Sequence, residues 1–291
     1  MRKKIIDFFI KSVYTLNGAL KIIRRTKFNA KRSLPKTDRG SCYILGNGPS
    51  LTTDINACLK NPSNDLFAVN HFGLSELYHT LKPKYYIIAD PGFYGGYTLD
   101  AEEQERVNNL LIALKETTSW SLTFFTPFAA QQMFKEILKE NKNIKVIGYN
   151  KVNTWKGFKW FDRWVYNHQW AITSGQNVIM LALFIAIQIG YKKINLLGVD
   201  HSWHKEIVVG DDNRCYIHDT HFYENRVNPV PIYVEENKKI RYLKLHEQFE
   251  AIKKTFEAYH YIQDYAQYKK VIIYNCTNNS YIDAFERIKL N

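Results

Sequence analysis

The chain has 291 residues, of which 45% are hydrophobic and 23% charged, so it can bury a sizeable core as one large domain or as a domain with an appendage. Its formal net charge of +12 is concentrated at one end, because residues 1–39 hold twelve Lys or Arg against two Asp, and this distribution argues against a nucleic-acid partner. Four widely spaced cysteines without a CxxC pair argue against a zinc site or a disulfide framework and indicate a reduced, cytoplasmic protein.

The first predicted element is a basic amphipathic helix at the N-terminus. Apolar residues recur there at roughly helical spacing: Ile6, Phe9, Ile10, Val13 and Leu20. No uncharged run approaches the ~20 residues that span a bilayer, and charges interrupt the segment in a way that a secretory signal does not tolerate. We therefore predict that residues 1–39 are a membrane-association segment that binds the inner face of the cell membrane through residues 1–32. A core helix or a homo-oligomer contact is the alternative.

Short apolar runs then alternate with helix-like segments, which is the pattern of a doubly wound α/β fold. Several runs are continuous, as expected for parallel strands buried on both faces. The predicted strands are Cys42–Leu45, Leu66–Val69, Lys84–Ala89, Ser121–Phe125, Ile144–Ile147, Ile194–Gly198 and Val271–Tyr274. The predicted helices lie near residues 102–117, 129–140, 175–190 and 241–262. Together they predict one domain over residues 40–291 with a mostly parallel sheet.

The first strand runs into a turn that contains Gly46, Asn47, Gly48, Pro49 and Ser50. Glycines in such a turn let the backbone approach a ligand with no Cβ in the way. Proline and serine suit a helix start, where free N–H groups favour anions. The turn lacks the third glycine of GxGxxG and the GK[ST] of a P-loop, so neither of those nucleotide motifs is present. We predict a nucleotide site here, and a tight turn without a ligand is the alternative.

Two further predicted strands end on short polar residues, Asn70 and Asp90. The carboxyl ends of parallel strands meet at one edge of a sheet, so these side chains are expected beside Asn47. Amide and carboxylate groups there can bind a base edge or ribose hydroxyls, although each alone also suits a turn.

A long apolar helix supplies the next part of the predicted site. Thr173, Ser174 and Gly175 precede it, and Ser174 is a plausible N-cap whose neighbouring free amides would hold a phosphate. The strand that follows this helix ends on Asp200, again at the ligand-binding edge.

Residues 201–240 differ from the rest of the domain because they are polar and aromatic and contain the helix-breaking stretch NPVPIY. A stretch of this length in a compact domain is usually a lid or a substrate-binding insert. Within it, residues 211–213 read as a turn. His218, Asp219 and His221 could form a zinc or manganese site only with a ligand from elsewhere. The chain has no Asp-x-Asp, and we expect no metal cofactor.

These stretches, taken together, resemble the bacterial sialyltransferases with a modified GT-A fold. They also resemble the related motility-accessory-factor and lipopolysaccharide-biosynthesis proteins that share that core. The matching stretches are GNGPSL, VNHF, DPGF, ITSG with its helix, GYKKINLLGVD and IIYNCTNNS, over roughly residues 42–200 and 241–285. The resemblance implies a GT-A-like, Rossmann-type core.

The resemblance also implies roles for particular residues. Asn47, Asn70, Ser174 and Gly175 would contact a CMP-linked donor, and Asp200 would lie near its base or ribose. In those enzymes a histidine just before the penultimate helix deprotonates the acceptor hydroxyl, and His246 stands in that place here. A surface role for His246 stays open, and His221 is the rival base.

Three departures from the family pattern put the donor sugar in doubt. Asp90 replaces an asparagine, Ala171 replaces an arginine, and Ser202 replaces a tyrosine that helps to stabilise the departing phosphate. That assistance must then come from elsewhere, and the candidates in the insert are Tyr216, His218, Tyr223 and Arg226.

We therefore expect an inverting, metal-independent glycosyltransferase that transfers a sialic-acid-like or Kdo-type sugar. Its partners would be a CMP-sugar donor, a cell-surface glycan or lipid-linked acceptor, and the inner membrane surface. Two alternatives remain. One is a magnesium-dependent pyrophosphokinase of the 6-hydroxymethylpterin type, which would use Asp90, Asp200 and Asp211 or Asp212. The other is a non-catalytic nucleotide-sugar-binding protein.

Overall fold

The computed structural model describes residues 2–28, 34–56, 64–173, 177–218, 229–236 and 239–290. Their strands are β1 (Ser41–Leu45), β2 (Asp65–Val69), β3 (Tyr85–Ile87), β4 (Leu122–Pro127), β5 (Ile144–Tyr149), β6 (Lys193–Leu197), β7 (Ile207–Val209), β8 (Cys215–Ile217), β9 (Val230–Pro231), β10 (Tyr233–Glu236), β11 (Lys239–Tyr242), β12 (Ile272–Asn275) and β13 (Glu286–Arg287). Their α-helices are α1 (Arg2–Arg25), α2 (Leu51–Asp54), α3 (Leu77–Leu81), α4 (Ala101–Thr117), α5 (Gln131–Ile137), α6 (Lys159–Asn167), α7 (Val178–Ile189), α8 (Trp203–Glu206) and α9 (Leu245–Tyr268).

Eight strands form one sheet in the spatial order β13-β12-β6-β1-β2-β3-β4-β5, and every neighbouring pair is parallel. The chain builds outward from β1 to β5 and then returns to place β6 on the other side of β1. The strand order therefore reverses between β1 and β6. In open parallel sheets a ligand crevice forms at the carboxyl ends of the strands at such a point.

Both faces of the sheet are covered, which explains the continuous apolar runs. In β1, Cys42 and Ile44 pack into the hydrophobic cluster that contains α7, whereas Tyr43 and Leu45 pack into the cluster that contains α4. Helix α7 is apolar all round and lies inside the domain, with eleven of its twelve residues buried. This confirms the predicted α/β class with a doubly wound parallel sheet.

The seven predicted strands are all present, with each end shifted by at most two residues. The prediction missed β13, α3 and α6 as well as α8 and the short strands β7 to β11, and it began the last helix too early, at residue 241. Arg241 and Tyr242 instead belong to β11, which pairs with β10 in a hairpin. Helix α9 begins at Leu245, where the Glu247 carboxylate accepts a hydrogen bond from the Lys244 backbone N–H at 2.9 Å.

The insert at 201–240 contains short regular elements where it is described. Helix α8 opens it, the antiparallel strands β7, β8 and β9 form a small sheet, and the β10-β11 hairpin closes it. The predicted turn at 211–213 joins β7 to β8, and the Asp212 carboxylate accepts a hydrogen bond from the Arg214 backbone N–H at 3.1 Å.

The N-terminal helix α1 is present as predicted, and it packs against the domain. Gly18 and Ile22 are buried, and the Thr15 hydroxyl accepts a hydrogen bond from the Phe158 backbone N–H at 2.9 Å. Just after the helix, the Thr26 hydroxyl donates to the Trp170 carbonyl at 2.8 Å. Within the described ranges, no helix combines the length and the apolar character that spanning a lipid bilayer requires.

Candidate functional site

A cavity of about 300 Å³ lies at the carboxyl edge of the sheet, where the strand order reverses. It is lined by six of the predicted donor-site residues, namely Gly46, Asn47, Gly48, Asn70, Asp90 and Asp200. His218, one of the predicted leaving-phosphate candidates, lines the same cavity. The structure therefore brings the ends of β1, β2, β3 and β6 together with the insert.

Other predicted residues do not reach the cavity or are not described. Ser50, Thr173 and Tyr216 are absent from the cavity lining, and Thr173 is buried. His246 lies exposed in the first turn of α9 and is also absent from the lining. Five predicted residues lie outside the described part of the chain: Ser174, Gly175, His221, Tyr223 and Arg226. Their roles stay predictions.

Six polar or aromatic residues of the lining were not assigned to the site from the sequence, which are Lys151, Asn177, His201, Ser202, Trp203 and Glu206. The sequence carries a signal for two of them. Lys151 follows the end of β5 by two residues, and His201 directly follows Asp200, so both stand at the ligand-binding edge of the sheet. Their side chains are neither the amides nor the carboxylates on which the prediction of the site was based.

The two glycines of the first turn make room for the loop that follows β6. A Cβ on Gly46 would lie 2.3 Å from the Gly198 carbonyl oxygen, and a Cβ on Gly48 would lie 1.9 Å from Asp200 Oδ2. The glycines thus let the loop after β1 pass against the loop after β6. Gly198 itself has φ +64°, a left-handed conformation that favours glycine. The described contacts of these glycines are thus with the Gly198 backbone and the Asp200 side chain, and the predicted close approach to a ligand stays a prediction.

Hydrogen bonds to the Asp200 carboxylate link the loop after β1 to the loop after β6. The carboxylate accepts hydrogen bonds from the Ser50 hydroxyl at 2.8 Å and from the Ser50 backbone N–H at 3.3 Å. Burial raises the pKa of Asp200, and the hydrogen bonds from Ser50 oppose that rise. The Ser50 N–H is therefore already paired with a carboxylate of the chain, and the prediction that this helix start binds a ligand anion stays a prediction.

Two amide oxygens in the cavity have no partner in the described structure. The side-chain N–H of Asn47 donates to the Val69 carbonyl at 3.2 Å, which turns its Oδ1 away from that bond. Oδ1 of Asn47 and Oδ1 of Asn70 are both buried and accept no hydrogen bond. A buried acceptor without a donor is costly, so these oxygens of two lining residues are unsatisfied acceptors in the described structure.

Asp90 and Lys151 define the charged side of the cavity. Asp90 Oδ1 accepts hydrogen bonds from the Gly92 backbone N–H at 2.8 Å and from the Tyr97 hydroxyl at 2.6 Å, so one carboxylate oxygen serves the turn. Lys151 Nζ donates to the Ala89 carbonyl at 2.5 Å. Burial lowers the pKa of Lys151, and the charge of Asp90 opposes that effect. Among the lining residues that the structure describes, Lys151 is the only Lys or Arg.

A buried histidine links α7 and α9 to the cavity. His201 Nε2 lies 2.6 Å from the Tyr259 hydroxyl and 3.3 Å from Asn177 Nδ2. Burial lowers the pKa of His201 to about 3, so its ring is neutral near pH 7. Asn177 is the N-cap of α7, and its Oδ1 accepts from the Met180 backbone N–H at 3.1 Å. The helix thus begins three residues later than a cap at Ser174 would require.

Metal ligation has no candidate in the described part of the chain, where no group of three or more His, Cys, Asp or Glu side chains could hold an ion. The alternative site at His218, Asp219 and His221 lies partly outside it, since residues 219–228 are not described. Asp212, considered for phosphate chemistry, instead accepts a hydrogen bond from the Tyr216 hydroxyl at 2.8 Å.

Compared with family models and with curated proteins, the sequence matches none. Among solved structures, the chain is similar to the MAf glycosyltransferase from Magnetospirillum magneticum AMB-1, with a TM-score of 0.51 and 13% sequence identity. The likeness covers 96% of this chain and 38% of that chain, so this chain spans well under half of that protein's length. It establishes a glycosyltransferase-like fold and supports the predicted resemblance at that level.

We expect Gly48→Ala to destabilise the protein by about 1–3 kcal/mol, because the new methyl group overlaps the Asp200 carboxylate and forces the two loops apart. Urea unfolding followed by circular dichroism measures the change. Gly40→Ala is the matched control, since a Cβ there meets no atom within 4 Å. Equal stability of the two variants would contradict the close contact of the loops.

We expect stability to depend on pH through His201. Its folded pKa of about 3 lies below the ordinary value of 6.5, so between these values the unfolded chain holds a proton that the folded chain lacks. Stability is therefore lost as the pH falls through this window, by up to about 1.4 kcal/mol per pH unit. Urea unfolding at several pH values measures it in wild type and in His201→Gln, which cannot titrate. Parallel pH curves for the two proteins would refute this assignment.

Proposed function

We propose that this protein is a glycosyltransferase whose cavity binds a nucleotide-linked sugar, most specifically a CMP-sugar. The observation that carries the proposal is the pair of buried, unpartnered oxygens on Asn47 and Asn70 at the strand reversal. Cytosine has an exocyclic amino group and ribose has hydroxyls, so a cytidine nucleotide supplies the donors that these oxygens lack. The glycosyltransferase-like fold supports the reaction class, and the sequence resemblance supports the choice of CMP.

The proposed reaction is inverting. The acceptor hydroxyl oxygen attacks the anomeric carbon of the sugar, the bond from that carbon to the phosphate oxygen breaks, and CMP leaves with the electron pair. A developing negative charge on the phosphate must then be stabilised by a cation or by hydrogen-bond donors. We assign this role to Lys151, whose ammonium group lines the cavity and makes one hydrogen bond, to a neutral carbonyl.

The acceptor hydroxyl must also lose a proton, and a histidine is suited to take it. Of the candidates, His218 lines the cavity, whereas His246 is exposed on α9 outside it. We therefore propose His218 as the base. His246 and His221, the two bases predicted from the sequence, are the alternatives. His201 is a poor candidate, because a pKa of about 3 makes its ring a weak base.

We propose further that the reaction needs no divalent metal and that the acceptor is a cell-surface glycan or a lipid-linked glycan. The missing Asp-x-Asp supports the first point, since that motif holds the metal in ordinary GT-A enzymes. Helix α1 supports the second, because a protein held at the inner face of the membrane meets lipid-linked acceptors there.

The test is thermal unfolding of the full chain with CMP, UDP, GDP or ATP, each with EDTA and with Mg²⁺. A ligand that binds only the folded state raises the melting temperature. We expect CMP with EDTA to raise it in wild type and in Asp38→Asn, a control outside the cavity lining. The shift should be lost in the Asn47→Ala, Asn70→Ala double variant.

A shift confined to ATP with Mg²⁺ would overturn the proposal in favour of the pyrophosphokinase. A shift with UDP or GDP alone would keep the transferase and discard the CMP donor. Binding of CMP without transfer from any CMP-sugar would favour a non-catalytic nucleotide-sugar-binding protein.

The assignment of Lys151 predicts a split between ligands with and without a phosphate. We expect Lys151→Met to weaken CMP binding by about ten- to a hundredfold, the range for a hydrogen bond to a charged group. Cytidine lacks the phosphate, so its binding should stay unchanged. Isothermal titration measures both affinities. Lys145→Met is the control, because this exposed lysine lies on β5 away from the cavity. An equal loss for cytidine and CMP would show that Lys151 only supports the fold of the site.

A further inference from the structure

Helix α1 presents a stripe of exposed apolar side chains to solvent. Its members follow one another at alternating steps of three and four residues: Ile6, Phe9, Val13, Leu16, Leu20 and Ile23. Their exposed fractions range from 49% to 69%. Another side of α1, which carries Thr15, Gly18 and Ile22, packs on the domain. In the described structure no element covers this stripe, and apolar patches of this length normally mark an interaction site.

Aromatic rings connect the stripe to α6. Phe9 of the stripe lies 6.2 Å from Phe8 between ring centroids, Phe8 lies 5.5 Å from Phe158, and Phe158 lies 6.5 Å from Trp160. A second set of rings connects Phe28, which follows α1, through Trp170 to Trp164 of α6, with centroid distances of 5.2 and 5.0 Å. The indole of Trp160 is 67% exposed and that of Trp164 is 46% exposed. We call the stripe together with Trp160 and Trp164 the apolar platform.

Basic residues stand at both ends of the platform. Residues 2–28 hold eight Lys or Arg and one acidic residue, Asp7. Three of the basic residues precede the stripe, at positions 2–4, and three follow it, at positions 24, 25 and 27. Asp7 pairs with Lys11 at 2.6 Å, so the acidic charge is neutralised within the helix. The surroundings of the platform are therefore strongly positive.

We propose that the apolar platform docks on a lipid bilayer that contains anionic headgroups. Apolar side chains of an interfacial helix enter the headgroup and acyl boundary, lysines and arginines reach the lipid phosphates, and tryptophan favours this depth. The platform thus extends the predicted membrane segment to α6, which the sequence pattern did not include. This surface is independent of the proposed sugar transfer; only the link to a lipid-linked acceptor rests on that function.

A second copy of the chain fits the platform less well. Two α1 helices packed side by side, parallel or antiparallel, would bring basic clusters together, because both ends of the helix are positive. The positions that flank the stripe carry Ile5, Ile10, Ser12, Asn17, Ala19 and Arg24, so they supply no carboxylate to compensate. An anionic bilayer provides the complementary charge that a copy of the same helix lacks.

The test is co-sedimentation of the full chain with vesicles of phosphatidylcholine alone and with vesicles that also contain phosphatidylglycerol. We expect binding to the anionic vesicles that weakens with salt. The Phe9→Ser, Leu16→Ser variant and the Trp160→Ala, Trp164→Ala variant should each bind at least about tenfold more weakly. Ile112→Ser, Ile240→Ser is the control, because it removes two equally exposed apolar side chains elsewhere, and it should bind like wild type.

Thermal unfolding confirms that each variant is folded. Absence of binding to the anionic vesicles, or equal binding by the platform variants and wild type, would overturn the proposal. So would a dimer in light scattering that the Phe9→Ser, Leu16→Ser variant dissociates. The outcome is separate from that of the nucleotide experiment, because a chain that binds vesicles but no CMP would keep the platform and lose the proposed transfer.

Discussion

The carboxylate of Asp200 joins the loop after β1 to the loop after β6, and the geometry of the cavity depends on this contact. Hydrogen bonds from the Ser50 hydroxyl and backbone hold the carboxylate, and each bond to a charged group contributes about 1.5–3 kcal/mol. The contact is sterically possible only because Gly46 and Gly48 carry no side chain. Asn47 lies between these glycines, so its position in the cavity lining follows from the same contact.

The described lining of the cavity combines the amide oxygens of Asn47 and Asn70 with one cation, Lys151, and with the carboxylates of Asp90, Asp200 and Glu206. The unpartnered oxygens of Asn47 and Asn70 call for N–H or O–H groups, while the ammonium of Lys151 calls for an anion. A ligand with a polar heterocycle at one end and a phosphate at the other satisfies both requirements. Buried His201 stays neutral near pH 7 and hydrogen-bonds with Tyr259, so Lys151 is the one cationic group among the described lining residues.

Helix α1 has one side that packs on the domain and another side that is exposed to solvent. One side contacts the domain through Thr15, Gly18 and Ile22, and the small residue Gly18 allows close packing on Thr154, which a Cβ would approach to 3.2 Å. The outer side is apolar and flanked by positive charge. On the proposed bilayer surface, a helix fixed in this way would hold the domain in a defined orientation, because one side of the helix packs directly on the domain.

The sequence by itself determined the seven main strands, the fully buried helix α7 and the polar residues that follow β1, β2, β3 and β6. These follow from local patterns, since apolar runs report burial and strand ends report the ligand edge. The position of Lys151 after β5 was a weak signal on its own, because β5 lies four strands from β1 and only the assembled sheet brings this residue to the cavity. The sequence also could not show that Gly46 and Gly48 contact Gly198. This residue lies about 150 positions away, and no local pattern records which loops touch. Contacts of this kind are decided by strand order and packing, so only the tertiary structure reveals them.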